Sequence, residues 1–367
     1  MKKTIYILIM CSSFCLTGCQ KADMEEVMPT DRSIWLSASI SPSATTRTAY
    51  ELTTPTTEKA FDAMVWASTI SCDYPYNSAS PKTGADNTMG YHTSVNFQSG
   101  TDQLLRNGLV YPGDDSHVYF IGLHPNAGWS SNTDGTSNTS TSFTFNGSHD
   151  LLYAPQVSGN LSASVATPTP TQPQLHFFHL LTHLRVKVFA EDASVASSWG
   201  KLTNLKLTSQ QKSLTIDLSS VPDISSDVFA TRQSNVEAKV TFSGAMEDLP
   251  FFYRGTDNTF TATYPSGYAL STSSTEVAYI LCAPTNATAG DVGSRTNEYV
   301  LELITENRSG VTVNVDLKTA DNTWFTGSTM GHQFVIELKL CAGGYISASA
   351  SVTDWTTGGY VTVNVEE

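Results

Sequence analysis

Charge is scarce in this chain. Only 15% of its 367 residues are Asp, Glu, Lys or Arg, against about 25% in ordinary soluble domains. Ser, Thr, Asn and Gly take the place of the missing charges, which disfavours coiled coils and long surface helices and suits an extracellular β-protein with many turns. Basic residues are the scarcer sign, 20 against 34 acidic, for a formal charge of −14. No basic cluster interrupts the acidic background, so nucleic acid is excluded as a partner. There is no CxxC pair, and no zinc site is implied. No apolar run approaches the roughly 20 residues of a membrane-spanning helix. No segment of helical period stands out beyond the N-terminal leader.

Of six cysteines, few are left for structure. Residues 1–18 read as a leader, with Lys2 and Lys3 as its charged start and an apolar run from Ile5 to Leu16. Cys11 and Cys15 leave with it. Leu16-Thr17-Gly18-Cys19 is similar to a bacterial lipobox, in which the cysteine is lipidated and becomes the mature N-terminus. The alternative is a plain secretory leader that ends at an unrelated cysteine. Cys72, Cys282 and Cys341 remain, enough for one intramolecular disulfide at most; Cys282 and Cys341 fall in strand-like runs and are expected to be buried. Asp23, Glu25 and Glu26 form a short acidic spacer behind Cys19, readable as a surface-export signal or as a solvated linker.

The stretch that follows organises the rest. In Ser33-Ile34-Trp35-Leu36-Ser37-Ala38-Ser39-Ile40 the residues Ile34, Leu36, Ala38 and Ile40 share one face, the period of a half-buried strand. Ser41-Pro42-Ser43 stops it, and the next positive charge is Arg47 in Thr45-Thr46-Arg47-Thr48. A trypsin-like cut between Arg47 and Thr48 would detach that strand from the fold it completes.

Beyond Arg47 the chain reads as strands and turns. Strands are expected at 61–68, 91–97, 108–111, 117–123, 141–145 and 149–154, with a long polar loop over 126–141. Thr167-Pro168-Thr169-Pro170-Thr171-Gln172-Pro173 reads as a stiff linker. Its placement divides the chain into a leader (1–18), a propeptide with a removable first strand (19–47), an N-terminal β-sandwich (48–166), a linker (167–174) and a C-terminal β-sandwich (175–367). Leu175 to Val188 reads as one strand whose apolar phase shifts near Thr182, which suggests a β-bulge. Further strands are expected at 202–207, 214–218, 237–242, 260–264, 277–282, 299–304, 311–317, 334–340, 345–350 and 360–365, the pair around Asn307-Arg308-Ser309-Gly310 forming a hairpin. The fold class is all-β, two sandwiches in tandem.

No active site emerges. His176, His179 and His183 lie in a stretch that alternates like a strand and lacks the Glu of a zincin helix, so they read as packing or edge residues. Gly327-Ser328-Thr329-Met330-Gly331 places Thr where a nucleophile elbow has Ser, without strand–turn–helix context, and reads as a turn. Loop aromatics Tyr74, Tyr76 and Trp129 are candidates for glycan contact. No catalytic residue, metal or cofactor is assigned.

Together these pieces resemble the fimbrillin (Mfa-like) family, the type V pilins of Bacteroidales. The resemblance rests on the lipobox, the strand before Thr45-Thr46-Arg47-Thr48, the run Leu175, Phe177, His179, Leu184, Val186 and Val188, and the closing segments 278–284, 331–340 and 345–355 followed by Gly358. It departs from the family in the 126–141 loop, and in Thr48, where some members have Ala. The resemblance implies two transthyretin-like sandwich domains and an outer-membrane lipoprotein precursor acylated (palmitate) at Cys19. It further implies cleavage at Arg47 by an arginine-specific surface protease, and exchange of the first strand for one from another pilin subunit of a fimbria. A role in cell adhesion, with a host or bacterial surface glycan or protein as partner, is the adhesin form of the same expectation. The competing reading is a monomeric outer-membrane lipoprotein that binds glycan and keeps its first strand.

Overall fold

Several segments of this chain are apolar at nearly every position rather than at alternate ones, as Leu151-Leu152-Tyr153-Ala154 shows. Such runs belong to strands covered on both faces. A computed structural model places them there; it describes residues 32–40, 61–74, 90–97, 103–105, 110–130, 139–166, 171–254, 260–261, 267–287, 298–318, 325 and 327–353.

Along the first half, β1 covers Trp35–Ile40, β2 Phe61–Ser68, β3 Gly90–Phe97, β4 Gln103–Leu104, β5 Val118–His124, β6 Ser140–Thr144, β7 Leu152–Gly159 and β8 Gln174–His179. The second half continues with β9 Thr182–Ala190, β10 Leu202–Gln210, β11 Ser213–Asp217, β12 Val240–Ser243, β13 Glu247–Pro250, β14 Phe252–Arg254, β15 Phe260–Thr261 and β16 Thr275–Cys282. It ends with β17 Asn286–Ala287, β18 Glu298–Thr305, β19 Arg308–Asp316, β20 Gly327–Ser328, β21 Gln333–Leu340 and β22 Ile346–Thr353. Three short helices, α1 (Leu161–Ser164), α2 (Ala193–Trp199) and α3 (Phe229–Glu237), are the only departures from an all-β chain among the described residues.

The strands form a seven-stranded sheet in the order β3-β2-β5-β7-β8-β1-β4 and a six-stranded sheet in the order β15-β14-β16-β9-β21-β22. Smaller sheets run β13-β10-β18-β19, β12-β11-β6 and β17-β20. The seven-stranded sheet curls until its end strands β3 and β4 approach each other. One core fills the curl: Leu36 from β1 and Ile34 just before it, Ala63 and Val65 from β2, Phe120 from β5, Leu152 and Ala154 from β7, Leu175 and Phe177 from β8. The other face of the same sheet supplies Trp66, Ile121, Leu123, Tyr153 and Phe178 to a second core shared with β9, β10, β16, β18 and β21. Gly122 is the point of closest approach in the first core. A Cβ there would lie 2.4 Å from Cζ of Phe177, so only glycine lets that ring seat.

Three expectations need correction. Leu175 to Val188 is two strands in different sheets, not one bulged strand. Leu180 and Leu181 are both buried and carry the chain across, Leu180 N–H donating to Leu151 O (2.9 Å) and Gly331 N–H to Leu181 O (3.0 Å). The phase shift marks a change of sheet. Helices of two turns also exist where no helical period was seen. α2 is capped by Asp192, whose side chain accepts from Val195 N–H, and closed by Gly200 at φ 72°. α3 occupies the approach to the strand expected from 237, so that strand starts at Val240. Finally, of the expected strand 108–111 only residues 110 and 111 are described, and there Val110 makes an isolated bridge to Ser33 rather than a strand. The expected strand 360–365 lies outside the described residues.

β8 opens the second half in sequence yet pairs with β7 and β1. In return β6, from the first half, pairs with β11.

Candidate functional site

β1 forms because its apolar residues alternate, and the structure uses that alternation. Ile34 and Leu36 are fully buried, Ala38 and Ile40 pack half-buried against the same core, and Trp35 points outward, 37% exposed. Burying Ile34 and Leu36 is worth about 1.5–3 kcal/mol for each side chain.

The two halves of β1 are held on opposite edges. Its first half pairs antiparallel with β4, Trp35 against Leu104 and Leu36 against Gln103. Leu105 N–H donates to Ile34 O, and Tyr111 N–H to Arg32 O, both at 2.9 Å. Its second half pairs parallel with β8, Ser37 against Gln174 through Ile40 against Phe177. Ser37 N–H donates to Pro173 O (3.1 Å), and Ser39 Oγ lies 2.7 Å from His176 Nδ1. Residues 103–105 and 110–111 therefore form a strap outside β1, and β8 forms the inner wall.

Arg32 fastens the start of the strand. Its Nε donates to Tyr111 O at 2.5 Å, and its guanidinium lies beside Gly113. Asp114 is held below the usual carboxylate range, first by hydrogen bonds from Ser116 and to a smaller extent by the Arg32 charge. Tyr111 is fully buried, and burial pushes its phenol up to about 12. Its hydroxyl has no hydrogen-bond partner among the described residues. A Cβ on Gly159 would come within 2.6 Å of both that hydroxyl and Pro173 Cγ, so the ring is seated against this glycine.

Of the residues singled out in the sequence, Ile34, Leu36, Ala38 and Ile40 meet in this groove. Cys19, Arg47 and Thr48 lie outside the described residues, as do Tyr76 and residues 167–170 of the linker. Thr171 is pinned, its N–H donating to Ala163 O (2.9 Å). The three histidines separate. His176 faces Ser39, His179 Nδ1 lies 2.7 Å from the Asp150 carboxylate, and His183 meets the Tyr279 ring edge-on at 5.7 Å. Among the described residues no three His, Cys, Asp or Glu side chains are grouped to hold a metal. Thr329 is fully buried and bonded to Thr182 and Thr285, the interior of a turn. Tyr74 is buried with its hydroxyl donating to Gln156 (2.6 Å), and Trp129 is half-buried against Phe143, its indole N–H donating to Pro125 O. Neither is a free platform for a sugar. Cys72, Cys282 and Cys341 are all free thiols, the last two buried.

The strap and the Ser39–His176 contact escaped the sequence reading. The only hint was the expected strand at 108–111, whose last two residues do meet Ser33 and Arg32, the lead into β1.

No protein-family model matches the sequence, and no curated protein sequence matches it. Among solved structures, the chain is similar to a candidate cell adhesion protein from Bacteroides uniformis, with 17% identity and a TM-score of 0.46, over 89% of this chain and 100% of that one. A second candidate cell adhesion protein, from Bacteroides ovatus, has 12% identity and a TM-score of 0.47, over 89% and 99%. A fimbrial protein from Bacteroides vulgatus has 14% identity and a TM-score of 0.38, over 89% and 100%.

Proposed function

We propose that this chain is a subunit, pilin or adhesin, of a type V surface fimbria, and that β1 is released by cleavage at Arg47 and replaced by a strand from another subunit. The observation that carries the proposal is the place of β1: next to last in its sheet, capped among the described residues by the two-residue β4, yet bringing Leu36, and Ile34 just before it, fully buried into the first core. Its loss would uncover apolar surface and the unpaired edge of β8, a template for strand addition.

Chain connectivity supports the cut. Arg47 lies between β1 and β2, so cleavage there separates β1, together with a lipid on Cys19, from everything that follows. Cleavage after Arg32 would leave β1 in place, and Arg32 is tied at its side chain and its carbonyl to Tyr111. While attached, β1 competes for its own groove at an effective concentration on the order of millimolar. After cleavage it can diffuse away, and exchange becomes favourable. In this proposal the chain travels as an outer-membrane lipoprotein and ends at the cell surface. Residues 48–166 and 175–367 are its tandem domains, with β8 of the second completing the sheet of the first.

The test is Arg47→Ala expressed beside wild type in a host with an arginine-specific surface protease. The variant is expected on the surface, lipidated and unpolymerised, while wild type gives a ladder on a semi-native gel. Equal ladders from both would defeat the mechanism. If neither forms a ladder, the monomeric lipoprotein reading replaces it.

A further inference from the structure

The outward face of β1 meets an imidazole as well as solvent. On the adjoining strand, His176 projects from β8 away from the first core, between Leu175 and Phe177, which point into it. α3 packs on the far end of β8, with Gln233 Nε2 donating to His179 O at 3.1 Å. Arg232, the preceding residue, lies near enough to His176 for its charge to act on the imidazole. Burial holds His176 below the ordinary imidazole range, and the positive charge of Arg232 adds to that effect. Nε of Arg232 is buried and has no hydrogen-bond partner among the described residues. The group that β1 sets against His176 is the neutral hydroxyl of Ser39, 2.7 Å from Nδ1, on the side of β8 where the Arg232 charge is felt.

We propose that the strand which takes the place of β1 carries an acidic side chain at the position of Ser39, where it meets His176 and Arg232. This rests on the strand-exchange reading above and names the chemistry of the partner. A carboxylate there accepts from an imidazole N–H and from a guanidinium. Such charge-assisted bonds are roughly twice as strong as the neutral contact Ser39 makes. The difference gives exchange a direction: β1 fills the apolar half of the groove but under-fills the polar half. Because Ala38 and Ile40 flank Ser39 on the opposite face, the incoming strand must read apolar–acidic–apolar at this point.

The experiment uses the full-length precursor with Ser39→Asp, Ser39→Ala or Ser39→Lys, each alone and combined with Arg232→Gln. At pH 7 the aspartate variant is expected to melt about 2–4 °C above the alanine variant, and the lysine variant below it. Arg232→Gln should abolish the gain. Arg232→Lys, which keeps the charge, should retain part of it and serves if the glutamine variant does not fold. After arginine-specific cleavage, Ser39→Asp should release β1 at least about tenfold more slowly than wild type. Equal melting of the aspartate and alanine variants, or a gain that survives Arg232→Gln, overturns the acidic preference. If the Arg232-dependent gain appears but cleaved wild type keeps β1 and forms no polymer, the acidic preference stands and the exchange reading falls.

Discussion

Leu36→Ala probes whether β1 can leave its groove without unfolding the rest. Leu36 is fully buried in the first core. Truncating such a leucine costs about 2–5 kcal/mol, less where surrounding groups can collapse into the gap. Near the edge of a sheet the low end applies, about 2–3 kcal/mol. If β1 opens as a unit of its own, that loss falls wholly on its docking equilibrium. Three amide hydrogens report docking directly, because their acceptors or donors belong to the segment that would leave: Leu105 N–H on Ile34 O, Tyr111 N–H on Arg32 O and Ser37 N–H on Pro173 O. At tenfold for each 1.4 kcal/mol, hydrogen exchange at these amides should quicken about 30- to 150-fold in the variant. His183 N–H, bonded to His332 O, and Leu281 N–H, bonded to Gly147 O, lie in the second half and should not change. Parallel acceleration of both sets would refute the reasoning, since β1 would then be inseparable from the whole fold.

Gly122→Ala should destabilise by about 1–3 kcal/mol, because its methyl group would overlap Phe177 and the backbone around it is fixed; denaturant titration measures this, and Phe177→Leu in the same chain should restore part of the loss. Burial holds His183 at about 4, below its unfolded value near 6.5. The unfolded chain therefore binds more protons between those values, and stability should fall as pH drops from about 6.5 to 4, by up to about 3 kcal/mol from this residue. His183→Gln should flatten that part of a melting-temperature profile. Cys19→Ala should abolish incorporation of labelled fatty acid and keep the precursor off the outer membrane; unchanged labelling would reject the lipid site.

How far the sequence carried these conclusions depends on what each segment packs against. β2 was legible to the residue, Phe61–Ser68, because the apolar run Ala63-Met64-Val65-Trp66-Ala67 fills its centre between polar flanks. β1 was legible because one of its faces is dry and the other wet. The junction at Leu180 and Leu181 was not. A bulge and a crossing between sheets produce the same one-residue change of phase, and only the partners on each side tell them apart. α2 is too short to establish a period, although Asp192 and Gly200 stand where caps belong. In α3 the N-cap residue is Val228, whose side chain makes no capping bond, so the sequence carries no start signal. Of the groove, the apolar half was readable from alternation, whereas the strap and the polar contact depend on long-range pairings, Ser33 with Val110 and Ser39 with His176.

The wall shared by two cores also acts as a phase lock. Leu175 and Phe177 face one core, and Phe178, beside His176, faces the other way into the second. Sliding β8 by a single residue would drive the His176 imidazole into the first core and expel Phe177 from the space that Gly122 leaves for it. Slippage is thus penalised on both sides of the sheet at once. The edge that β8 offers is a ruler with its zero mark fixed, and any strand laid along it is read in one frame only.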